Sequence, residues 1–129
     1  MLGEATLRPV PHGDGTTDLF IVPDRFHEVF GPDLPDQQAA RIAITQRSGT
    51  QEALVEHSGE RPLWKEVPSW FLIGEKDHII PAALQHFMAD RAEAQRTIEI
   101  PGASHAITVS QPEATAQLIL EAARMPAAT

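Results

Sequence analysis

Two residues toward the C-terminal end of the sequence have the types and placement that acid–base chemistry requires. Asp77 follows an apolar, strand-like run in PSWFLIGEKDHIIP, and His105 follows a second one in TIEIPGASHAITVSQPE. Histidine titrates near neutrality, so it takes a proton from a weak nucleophile at ordinary pH. A carboxylate bonded to its far ring nitrogen fixes the tautomer and stabilises the imidazolium that forms. An acid past one strand and a histidine past the next therefore suit the orienter and general base of a nucleophilic triad. The nucleophile of such a chain is expected earlier, on a Gly-x-Ser-x-Gly turn between a strand and a helix. No such pentapeptide occurs in these 129 residues. The nearest approximation, Gly102-Ala103-Ser104-His105-Ala106, ends in alanine, and the next helix is expected to be capped only at Ser110. A serine adjacent in sequence to its own base also points at it poorly, so Ser104 reads as a loop residue.

The elements that position Asp77 and His105 alternate strand and helix. Val67 to Gly74 is a short apolar, aromatic and β-branched run bounded by Pro68 and Gly74, as in a strand covered on both faces. Pro81 opens a helix to about Arg91 with Ala83, Leu84, Phe87 and Met88 as its apolar stripe. Thr97 to Ile100 is a second strand, stopped by Pro101 and Gly102. A last helix runs from Gln111 to about Arg124; Ser110 and Glu113 have capping-box spacing, and Leu118, Ile119 and Ala122 are expected to face inward. Strand, helix, strand, helix predicts a parallel crossover.

Before residue 62 the chain has a different character. Residues 1 to 18 are rich in Pro, Gly, Asp and Thr and read as loop, with GDGTTD the clearest turn. Leu19 to Val22 is a candidate short strand. Helical spacing is found in 24 to 34 around Phe26, Val29 and Phe30, in 36 to 47 with Ala39, Ala40, Ala43 and Ile44 on one side, and from Thr50 to about His57. This half reads as a helical excursion laid over something else.

Composition narrows the function classes. A formal charge of −8 disfavours nucleic acid and anionic membrane surfaces as partners. With no cysteine, disulfides, thiolate catalysis and cysteine-ligated metals are excluded. The other histidines, His12, His27, His57, His78 and His86, lack metal-ligand spacing, so no metal and no cofactor is expected. The longest apolar run, Trp70 to Ile73, is far too short for a bilayer, and the first residues lack the pattern of a secretory signal, so a cytoplasmic location is expected.

GEKDHIIP and GASHAITVSQPE together resemble the acid and histidine segments of the α/β-hydrolase fold family, and within it the small esterase-like members that include plant methylesterases and hydroxynitrile lyases. The resemblance implies an α/β fold: residues 62–129 as the C-terminal part of the parallel sheet, and residues 1–61 as the helical cap or lid inserted before it. It implies Asp77 as the triad acid and His105 as the base. The serine and the oxyanion-hole N–H groups would come from sequence ahead of Met1.

Three function classes follow. In the first, the chain is the C-terminal portion of a serine-type hydrolase acting on a small ester and is inactive alone. In the second, it is a non-catalytic binding or dimerising remnant. In the third, it is a complete small enzyme using Ser104 or a metal. The first is favoured; lyase, peroxidase and lactonase chemistries stay open within it. Two parallel strands expose unpaired edges, so a complementary N-terminal half or self-association is expected to be needed for stability.

Overall fold

A computed structural model describes Gly3 and residues 5–125. The second half forms the expected unit. Strand β4 (Trp70–Gly74) and strand β5 (Arg96–Ile100) pair in parallel, Trp70 opposite Arg96 through Gly74 opposite Ile100, with helix α4 (Ala82–Arg91) as the connection. Helices α5 (Ile107–Ser110) and α6 (Pro112–Arg124) follow.

Gly74 ends β4 for a steric reason. A Cβ at this position would lie 2.5 Å from the Ser104 carbonyl oxygen and 2.7 Å from that of Ala103. The loop after β4 is then stitched to the loop after β5. The Lys76 N–H donates to Ala103 O at 2.8 Å, and the Gly102 N–H donates to a Glu75 carboxylate oxygen at 2.7 Å. Gly102 takes the left-handed conformation, φ 75°, that this tight turn requires.

The first half is less helical than expected. Strand β1 (Leu7–Pro11) and strand β2 (Thr17–Ile21) form an antiparallel hairpin, and strand β3 (Gly49–Thr50) pairs with the other side of β2. Residues 7–11 thus correct the loop reading. Pro9 and Pro11 argued against a strand, but β1 is an edge strand, where a missing N–H is tolerated. GDGTTD is the hairpin turn, with Asp14 accepting from the Thr16 N–H and hydroxyl. Helices α1 (Pro23–Phe30), α2 (Asp36–Thr45) and α3 (Gln51–Val55) fall where the spacing put them. The Gln46 side chain accepts from the Ile21 N–H and donates to Ile21 O and Ala43 O, each at 2.9 Å, which fastens the end of α2 to β2.

A core of Leu34, Ala39 and Ala106, with Phe30 and Ile42 packed against it, joins the two halves, because Ala106 belongs to the loop carrying His105. Several expected apolar faces point elsewhere. Leu84 and Phe87 on α4 are exposed, as are Ile44 on α2 and Ile119 on α6, leaving Ala89, Ala39, Ala43 and Leu118 as the buried positions. A sheet of two strands is too narrow to cover a full helical stripe. Ser110 ends α5 instead of capping α6; Gln111 occupies the cap position and makes no capping side-chain bond, so the capping box is not formed.

Gly74→Ala is expected to lower stability by about 1–3 kcal/mol in chemical denaturation, because backbone and not a flexible side chain opposes the new methyl. Gly13→Ala, with nothing within 4 Å, should change it by less than about 0.5 kcal/mol.

Candidate active site

Asp77 and His105, both past the carboxyl ends of the parallel strands, meet. The His105 Nδ1 lies 2.9 Å from Asp77 Oδ2. The Asp77 side chain is 5% exposed and that of His105 is 30% exposed, so the carboxylate is enclosed and the imidazole is partly open to the surface. Three further donors hold the carboxylate. The Ile79 and Ile80 N–H groups donate to Oδ1 at 2.8 and 2.9 Å, and Gln85 Nε2 donates to Oδ2 at 2.9 Å. Gln85 was not singled out in the sequence; its signal is its place in the first turn of the helix that Pro81 opens, directly after the acid loop.

With Nδ1 facing a carboxylate acceptor, a neutral His105 carries its proton on Nδ1 and leaves Nε2 as a base. Nε2 takes no protein partner among the described residues. The Phe30 ring meets the imidazole edge-on, with centroids 5.2 Å apart, and stacks on Phe26 at 4.7 Å. Phe26 and Phe30 therefore pack on each other and also wall the site. A cavity of about 360 Å³ opens over His105. A larger hollow of about 510 Å³, between β5 and α6 at Arg96 and Glu121, contains neither Asp77 nor His105.

Ser104 is fully buried, as a structural residue and not a nucleophile. Its hydroxyl hydrogen-bonds the Asp33 carboxylate, its N–H donates to Asp33 Oδ2 at 3.1 Å, and its oxygen accepts from the Ala106 N–H at 3.0 Å. A short helix does begin soon after it, at Ile107, earlier than the sequence suggested. That helix leaves Ser104 no freer to attack. Burial pushes the Asp33 carboxyl up, but the Ser104 hydroxyl, the neighbouring Ser110 hydroxyl and the Ser104 N–H together outweigh it and hold the group below the ordinary 3.8. Neither Asp33 nor this tie was legible from motif spacing, since 71 residues separate the partners. The Ala106 N–H also donates to Phe30 O at 3.0 Å, so the turn at 30–34 grips the histidine loop at several points.

The remaining histidines lie apart. His78 Nδ1 sits 3.0 Å from Glu28 O, His27 Nε2 sits 2.9 Å from Leu34 O, and His12 pairs with Asp18 at 3.1 Å. Among the described residues no three histidine or carboxylate side chains converge on a metal-sized site. Nor is any helix long and apolar enough to cross a membrane.

A parallel strand pair thus carries an acid and a histidine past its strand ends, and the turn at 30–34 of the preceding segment packs on the histidine loop. A family model described as the alpha/beta hydrolase family matches residues 2–118, and the chain belongs to that family. Among solved structures it is similar to polyneuridine aldehyde esterase, with 15% identity, a TM-score of 0.72, and cover of 91% of this chain and 48% of that one. A histidine-to-alanine mutant of that esterase matches with 13% identity, a TM-score of 0.71, and cover of 89% and 47%. The chain spans about half the length of these structures. None of the curated proteins matches it.

Asp33→Ala should cost about 1.5–3 kcal/mol, as for hydrogen bonds to a charged group. The sign of the pH dependence follows from the lowered value. The unfolded chain binds the Asp33 proton first, so this stabilisation is complete above 3.8 and is lost as pH falls through the folded value. Urea melts in an acid series should show that loss in the parent protein and a flatter dependence in Asp33→Asn.

Proposed function

We propose that this chain supplies the acid, the general base and the cap of a serine-type hydrolase acting on a small ester. The serine and oxyanion-hole donors belong to polypeptide outside these 129 residues. One observation carries the reading: Asp77 holds His105 through Nδ1, Nε2 takes no partner among the described residues, and His105 lines a cavity. The shared fold with an esterase, over about half of that enzyme's length, supports it.

The geometry fits the chemistry at each step. Nε2 accepts the serine hydroxyl proton as the oxygen attacks the ester carbonyl. The resulting imidazolium keeps its Nδ1–H bond to the Asp77 carboxylate, whose backbone donors prevent it from turning away. Nε2–H then delivers the proton to the departing alkoxide, and the same base activates the water that cleaves the acyl-enzyme. The open edges of the strand pair, with Leu84 48% and Phe87 58% exposed on α4, are assigned to contact with the remaining polypeptide or, in its absence, with a second copy.

Intact mass and ester hydrolysis of the protein from its native source test this together. The expected mass is that of roughly 200–250 residues, above the 14.1 kDa of this chain. His105→Ala should then lower kcat by about a millionfold and Asp77→Asn by about ten-thousandfold. A native mass of 14.1 kDa with no ester hydrolysis would overturn the proposal and leave a non-catalytic remnant.

A further inference from the structure

The proposed triad half leaves open what kind of ester it would meet, and the hairpin missed by sequence reasoning bears on this. β2 alternates, so Leu19 and Ile21 share one face, and the register places Leu7 opposite Ile21 on that same face. All three line the cavity over His105. The opposite face is the polar one, where the Arg8 guanidinium covers the Phe20 ring at 5.6 Å and Asp18 pairs with His12. The hairpin is thus an amphipathic roof with its apolar side over the base. Phe26, Phe30 and the largely exposed Leu54 line its other sides.

Polar groups in the lining are few. The Gln46 amide is committed to Ile21 and Ala43 and has no donor left for a ligand's charge. Among the described residues of the lining, Arg47 is the one side chain with a formal charge, and it is exposed. Enclosing an unpaired charged group among these side chains would cost more than its contacts return. A positive charge would in addition face Arg47. Resting on the hydrolase reading above, we infer that the cavity takes an uncharged, bulky apolar substituent of the ester, alicyclic or aromatic, with Leu19 and Ile21 of the hairpin as specificity-determining residues. The volume of about 360 Å³ is at the small end of ligand pockets, in keeping with one ring and not a long chain.

The probe is cyclohexyl methyl ketone, a neutral ester isostere with no alkoxide to expel, titrated into the protein as its native source makes it and followed by NMR. Saturable shifts of the Leu19 and Ile21 methyls and the His105 ring are expected. Cyclohexylacetate and cyclohexylmethylammonium should bind at least about tenfold more weakly, and Leu19→Trp should weaken the ketone about tenfold or more by filling the space. Should Leu19→Trp fail to fold, Leu54→Trp serves, because Leu54 is 69% exposed and tolerates a larger side chain. Shifts confined to the hollow between β5 and α6, equal affinity for a charged analogue, or unchanged affinity in the tryptophan variant would overturn the inference. Since the ketone needs no nucleophile, its binding to a protein inert toward esters would remove the catalytic reading and leave the cavity assignment standing.

Discussion

The site depends on how closely two backbones approach at the end of the strand pair. With no side chain at Gly74, the end of β4 comes against the carbonyls of Ala103 and Ser104, and the Lys76 N–H closes the contact. The acid loop and the histidine loop leave this point together, which brings Asp77 and His105 within hydrogen-bond distance. From the other side, Asp33 binds both the hydroxyl and the N–H of Ser104, so the histidine loop is held from above and below. A serine next to the base here serves as a fastening, and its burial is what makes it useless for attack.

The segment before residue 62 contributes the environment of His105. Its turn at 30–34 grips the loop, its α1 aromatics wall the imidazole, and its hairpin puts an apolar roof over the cavity. The carboxylate stays in a polar cradle of backbone and amide donors while the imidazole lines a cavity of mostly apolar side chains. An enclosed acid and a reachable base in one pair is the arrangement proton transfer needs.

Much of this was legible in the sequence, for physical reasons that differ by region. Parallel strands covered by helices are short apolar runs, so β4 and β5 stood out, and strand-end placement made Asp77 and His105 visible without contacts. The hairpin was hidden because Pro9 and Pro11 remove donors, a cost that vanishes on an edge strand. The apolar stripes of α4 and α6 were read as inward, yet the narrow sheet buries only Ala89 and Leu118. Asp33 and Gln85 were invisible because polar ties between distant segments leave no periodic trace, whereas Asp77 and His105 sit just past strand ends that the apolar runs mark.

The most direct measurement is covalent labelling of the native protein with a fluorophosphonate, followed by peptide mapping of the modified residue. The proposed role of His105 predicts one adduct, on a serine outside these 129 residues, that forms in the parent and is lost in His105→Ala. An adduct on Ser104, or labelling indifferent to His105, would contradict it.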